Sequence, residues 1–256
     1  LDLHEPRSHV FRTPGWGANP SFRLSSTDKA SSTWRRLTEI FPDQDVSIFP
    51  SSVTHVVNPI FAGRVCQGAL QTGYLVHAFQ ALSLRPRLLR KVLPFFDCSL
   101  GIFSAFFFKN GQWVSIEVDD LVPCNTAGRP LCAVAVRAGL EIAWPGILEK
   151  AYAKLHCHGR SDSAGWEVLG EGGRVEEVLM DLTGGVGGRF YLQDVDPPRV
   201  FLYLKELQTS TLFLVEPNVW RCRAREVGLD LTGAYCYVVN RIREFEGEPF
   251  IELYCN

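Results

Sequence analysis

Near Ser210 the apolar periodicity of this chain changes. Upstream, the stretches "TGYLVHAFQAL", "WPGILEKAYAKLH", "GRVEEVLMDLTGG" and "PPRVFLYLKELQ" carry apolar residues at helical spacing, whereas "STLFLVE", "AYCYVVNRI" and "PFIELYC" downstream are short β-rich runs. Helices collected ahead of strands cannot supply the alternating crossovers of a parallel sheet. The order therefore predicts an α+β fold with helices and antiparallel sheet segregated.

Within the helical part, Tyr74, Leu75, Ala78, Phe79 and Leu82 recur at helical spacing, which predicts a central helix from Gly73 with one buried face. Pro145 marks the start of a second helix, with Ile147, Leu148, Ala151, Tyr152 and Leu155 on one stripe. Gly184 and Gly185 close a third, and "PPRVFLYLKELQ" forms a fourth. One hairpin interrupts them: two β-rich runs in "LGIFSAFFFKNGQWVSIEV" meet at Asn110-Gly111, a dipeptide that tolerates the positive φ values of a type I′ turn. Residues 1–33, rich in Pro, Gly, Ser and Thr, read as an extended arm or linker, with the first element near Trp34.

The 26 basic and 28 acidic residues produce no field that would recruit nucleic acid or an anionic membrane. The most apolar stretch, "LGIFSAFFF", is about half a membrane span, and the N-terminus lacks a signal-peptide core. A soluble, cytoplasmic protein with no membrane partner is expected. Eight cysteines (66, 98, 124, 132, 157, 222, 236, 255), without a C-x-x-C pair, read as reduced core residues. "HCH", His156 to His158, reads as a surface turn after a helix rather than a metal site. "TGGVGG" lacks the Lys-Ser/Thr ending of a phosphate loop, and the basic clusters at Arg85, Arg87, Arg90, Lys91 and at Arg221, Arg223, Arg225 read as solvated charges. A start at Leu and a single methionine, Met180, suggest a segment of a longer polypeptide.

The strings "CQGALQTGYLV", "NGQWVSIEVDDLVP", "LEKAYAKLH", the Gly-Gly before "EEVLMDLTGG", and "GAYCYVV" occur in an order that resembles the calpain cysteine-protease core, from about Trp34 to Asn256. The resemblance implies a papain-like fold: a helical lobe with the former nucleophile seat over 34–208, then the start of a β lobe over 209–256, incomplete at its C-terminus. In that fold a cysteine at a helix N-terminus becomes a thiolate, a histidine moves the proton, an asparagine orients the histidine and a glutamine amide stabilises the oxyanion.

The family pattern Gln-Gly-x-Leu-Gly-Asp-Cys-Trp reads here Gln67-Gly68-Ala69-Leu70-Gln71-Thr72-Gly73-Tyr74. The glutamine is retained as Gln67 and the nucleophile position is Gly73. The Gly-His-Ala-Tyr string reads Gly233-Ala234-Tyr235-Cys236, so the base position is Ala234, while Asn256 matches the asparagine. The six histidines stand at 4, 9, 55, 77, 156 and 158, so no shift of register supplies a base after residue 158. Cys66 reads as a buried structural thiol, and Cys236 falls in a predicted strand. The resemblance also implies calcium aligning the lobes. Arg64 stands where an acidic ligand is expected, and the second acidic position falls on Ile142, with Glu141 one place off. A guanidinium and too few carboxylates oppose a hard cation, so neither metal nor cofactor is expected.

The expectation is an inactive calpain-like domain serving as a structural or protein-binding module in a larger, cytoskeletal or ciliary, microtubule-associated assembly. The cleft between its lobes would take an extended peptide. Two alternatives stand beside it: an active calcium-dependent cysteine endopeptidase hydrolysing peptide bonds, and a regulatory domain that sequesters a protease or its inhibitor.

Overall fold

The computed structural model describes residues 33–41, 63–97, 100–137, 139–157, 162–216 and 236–254. The expected arm lies outside them except for Thr33, where strand β1 (Thr33–Arg36) begins and leads into a single helical turn, α1 (Leu37–Ile40). Strand β2 (Arg64–Cys66) precedes α2 (Gly73–Ser83), and Pro86 at the first turn starts α3 (Pro86–Val92).

Three strands follow as a meander: β3 (Phe95–Asp97), β4 (Ile102–Lys109) and β5 (Gln112–Asp119). The β4–β5 turn is the predicted one, with Asn110 at φ 52 and Gly111 at φ 80, and Lys109 pairs with Gln112 across it. Phe103, Ala105 and Phe107 alternate into the core from β4. Strand β6 (Leu121–Cys124) pairs with β1, while β7 (Val134–Arg137) lies between β2 and β8 (Leu140–Ile142).

Helices α4 (Trp144–His156), α5 (Asp162–Gly170) and α6 (Val175–Thr183) complete the helical part. Helix α6 stops at Gly184, φ 67, the left-handed cap expected there. Helix α5 has a compositional peculiarity with a packing reason. A Cβ on Gly165 would lie 2.2 Å from the carbonyl oxygen of Ala153, so glycine is what lets α5 press onto α4.

Helix α7 (Pro197–Leu207) lies against a three-stranded antiparallel sheet ordered β11-β10-β9, from β9 (Leu214–Val215), β10 (Tyr237–Phe245) and β11 (Glu248–Tyr254). Leu204, Val239 and Ile242 form its small apolar core, and Val238 joins the main core. Among the described residues every strand pairing is antiparallel. The α+β class inferred from the change near Ser210 is the one observed. Among the described residues no helix is long and apolar enough to cross a membrane.

Three expectations change. Helix α2 is buried all round, from Tyr74 to Ser83, instead of along one face. Its polar side chains are accommodated internally: Gln80 accepts from the Val65 N–H at 2.8 Å and donates to Ser83 Oγ at 2.8 Å. Arg85 is not a solvated charge, because its guanidinium donates to the carbonyls of Gln208 and Thr211 and ties the end of α2 to the segment after α7. His156 is the last residue of α4 rather than part of a turn, with Nδ1 2.9 Å from the Tyr152 carbonyl oxygen. Cys98, Cys222, Cys255, His158 and the cluster Arg221, Arg223, Arg225 lie outside the described residues.

Candidate functional site at the N-terminus of helix α2

The chain reaches α2 through a tight approach to the segment after β6. A Cβ on Gly68 would stand 2.1 Å from the Leu131 carbonyl oxygen, and the next amide, Ala69 N–H, donates to that same oxygen at 2.8 Å. Only glycine permits this contact. It sets Gln67 on one side of the helix entrance and Thr72 on the other.

Thr72 is the N-cap, yet its hydroxyl does not cap the helix. It donates to one carboxyl oxygen of Glu149 on α4, and the other oxygen accepts the Ala133 N–H at 2.9 Å. Glu149 thus binds the start of α2, the body of α4 and the entry to β7 through one side chain. Burial disfavours its charged form and raises the carboxyl to about 7, against the lowering effect of its two hydrogen bonds.

Gly73 is the first helical residue, and a Cβ built there would sit 3.4 Å from Gln67 Oε1, an ordinary van der Waals contact. A Cβ at this position has room and adjoins the glutamine. Gln67 Nε2 donates to the Leu70 carbonyl at 3.0 Å. Gly73 and Gln67 are therefore brought together as the motif implies. Ala234 and Asn256 lie outside the described residues.

One helical turn further, His77 places Nδ1 2.6 Å from the Gly73 carbonyl oxygen. The backbone of Cys236, at the entry to β10, and the charge of Glu216, just past β9, also favour its charged form. Desolvation outweighs these three influences and lowers its pKa, so the ring is neutral at physiological pH. Arg189 bridges the same region, donating to Glu176 of α6 at 3.0 Å and pairing with Glu216 at 3.3 Å. His77, Glu149 and Glu216 were not singled out by the sequence reading; each owes its place to a tertiary contact.

A histidine beside Cys236 raises the question of a thiol–imidazole pair. Cys236 is fully buried, its Sγ is directed at the Tyr237 carbonyl at 3.8 Å, and burial followed by Glu216 pushes its pKa up to about 12. The thiol therefore stays protonated and is a poor nucleophile. Burial likewise raises Cys124 to about 11 and Cys132 well above the usual thiol value. Cys66 corrects an expectation: it is only partly buried, because β2 is an edge strand, and its Sγ faces the Arg64 carbonyl at 3.8 Å.

The donors expected for calcium do not fit the ion. Arg64 is exposed on β2, Ile142 ends β8 and Glu141 faces solvent, which leaves a guanidinium where a carboxylate is required. Among the described residues, no three His, Cys, Asp or Glu side chains gather to hold a metal.

A family model described as calpain family cysteine protease matches residues 16–252. The calpain-type cysteine protease DEK1 of Zea mays is 29% identical over 241 residues, covering 92% of this chain and 10% of the relative. The calpain-1 catalytic subunit of Bos taurus is 33% identical over 183 residues, covering 70% of this chain and 23% of the relative. Calpain-12 of Mus musculus is 39% identical over 145 residues, covering 55% and 18%. The chain thus spans between about a tenth and a quarter of the length of these relatives. With a helix entrance built around Gln67 and Gly73 and a family match across nearly its whole length, the chain belongs to the calpain family of cysteine proteases.

Proposed function

We propose that this chain is a catalytically inactive calpain-like domain that serves as a structural or protein-binding module within a larger protein. The observation that supports the reading is at the helix entrance: Gly73, the position that the resemblance assigns to the nucleophile, lies beside Gln67. A helix N-terminus stabilises an anion, and backbone atoms alone supply none. Ala234 at the base position points the same way, and removal of either partner of such a pair typically lowers the rate by orders of magnitude.

The retained feature is shape. Gln67, Gly68, Thr72 and Glu149 still hold the start of α2, and a cleft between the two lobes would bind an extended peptide through backbone hydrogen bonds. The partners proposed are proteins of a cytoskeletal or ciliary, microtubule-associated assembly, by likeness to other degenerate calpain-like domains.

The test is direct. The purified chain, with and without calcium, is offered a fluorescent casein substrate and a peptide carrying a thiol-reactive warhead. No calcium-stimulated cleavage and no labelling faster than that of a small alkylating agent is the expected result. Calcium-dependent cleavage, or warhead labelling that a competing peptide suppresses, would overturn the proposal in favour of an active endopeptidase.

A further inference from the structure

Three elements meet at one carboxyl group. Glu149 of α4 is 0% exposed, Thr72 at the start of α2 is 3% exposed and Ala133 ahead of β7 is 1% exposed. One Glu149 oxygen takes the Thr72 hydroxyl and the other takes the Ala133 N–H at 2.9 Å. Neither partner is a cation, so an ionised carboxylate here has lost water without gaining a counter-charge. A protonated carboxyl meets no such difficulty, because the Thr72 hydroxyl can accept as well as donate. The backbone around these residues depends on them. The Thr72 carbonyl accepts the N–H groups of Leu75 at 2.8 Å and Val76 at 3.2 Å, which form the first turn of α2, and Ala133 leads into Val134, where β7 pairs with Cys66 of β2.

We propose that Glu149 is a proton-operated latch: protonated, it ties the first turn of α2 to α4 and to the entry of β7, and its ionisation loosens that junction locally while the rest of the core stays closed. The closed junction binds the proton more tightly than an open one in which water reaches the carboxyl, so closure is favoured at low pH and opening grows as pH rises. Burial places the change near neutrality by raising the carboxyl to about 7. The other titratable groups around it do not follow. Tyr74 on α2 and Cys132 beside Ala133 are both held protonated by burial, an effect to which Glu149 adds. On α4 the Lys150 ammonium is bound to Asp119, and further along α2 His77 lies in the field of Glu216. The latch concerns one junction and is independent of whether the chain cleaves peptides.

Hydrogen–deuterium exchange on the full chain tests it, each amide's rate being divided by its intrinsic rate at the same pH. In the wild type, protection at Leu75, Val76 and Ala133 is expected to fall by up to about tenfold per pH unit above about 7, while the β4–β5 ladder keeps its own. Glu149→Gln, which cannot ionise, is expected to stay flat from pH 6 to pH 8. Thr72→Val removes a bond that favours the charged form, so its loosening is expected at higher pH than in the wild type. Should the glutamine variant fail to fold, the wild-type profile and Thr72→Val decide alone. The latch is refuted if the wild type and the glutamine variant share one profile, if the β4–β5 ladder loosens in step with the three amides, or if Thr72→Val leaves the change in place or moves it to lower pH.

Discussion

Replacing Lys150 by methionine is expected to lower the thermal midpoint by roughly 6 to 20 °C. Lys150 and Asp119 are both almost fully buried, and the Lys150 ammonium binds three oxygens: the Asp119 carboxylate, the Asp119 carbonyl at 3.2 Å and the Leu121 carbonyl at 2.8 Å. It also lies over the Trp34 ring, 5.4 Å from the centroid. One side chain of α4 thereby holds the corner between β5 and β6 and touches β1. Burial lowers the Lys150 pKa, and Asp119 counteracts that by favouring the charged form.

Methionine keeps the packing of the stem and strands the carboxylate in a site that water cannot reach. Breaking a buried pair on one side costs about 3 to 5 kcal/mol. A second change tells desolvated charge from lost packing. Asp119→Asn retains an oxygen for the Leu121 N–H, which now donates to Asp119 Oδ1 at 3.0 Å, and removes the charge. The double variant Lys150→Met, Asp119→Asn is expected to recover at least about half of the loss in the midpoint. A double variant no more stable than Lys150→Met would show that the stranded charge is not the cause.

How legible these features were depends on how local their causes are. The Asn110-Gly111 hairpin, the glycine stop of α6 and the proline starts of α4 and α7 rest on backbone preferences of one to three residues, and each stands where the sequence places it. Strands β1, β2, β6, β7 and β8 are three or four residues long, too short for a period to register. Apart from the local β7–β8 pairing, their partners are also distant: Thr33 meets Cys124, and Arg64 meets Val136. Helix α5 was hidden by Gly165, a poor helix former whose value lies in its contact with α4. The C-terminal hairpin turns at Glu246 and Gly247, both at positive φ, a chemistry that glutamate does not advertise.

The site divides in the same way. Gln67 and Gly73 are readable because the motif is contiguous, and their proximity follows from six residues of chain. Glu149 sits on the same stripe-bearing helix as Lys150, and periodicity assigns both to the polar face; nothing local says that each will be buried against a partner more than a dozen residues away. His77 is hidden for the converse reason. It occurs where a helix buried on one side would face solvent, and α2 is buried on every side.

Glutamate 149 makes the second large prediction, and its sign is opposite to that of an ordinary salt-bridged carboxylate. Its folded-state pKa is raised from 4.5 to about 7, so between those values the folded chain holds a proton that the unfolded chain has released. Stability from this group is complete below about pH 4.5 and is lost as pH rises through about 7. A shift of that size corresponds to roughly 3 kcal/mol. Glu149→Gln removes the titration while keeping one oxygen for the Ala133 N–H and an amide to meet the Thr72 hydroxyl. Urea midpoints measured from pH 5 to pH 8 are therefore expected to converge at low pH and separate above it, the glutamine variant being the more stable by up to roughly 3 kcal/mol at pH 8. Differences between the two proteins cancel the groups they share, including Asp120 and His77. A glutamine variant that loses ground as pH rises would mean that the two hydrogen bonds to Glu149 outweigh its burial, and that the entrance of α2 is held by a carboxylate rather than by a carboxylic acid.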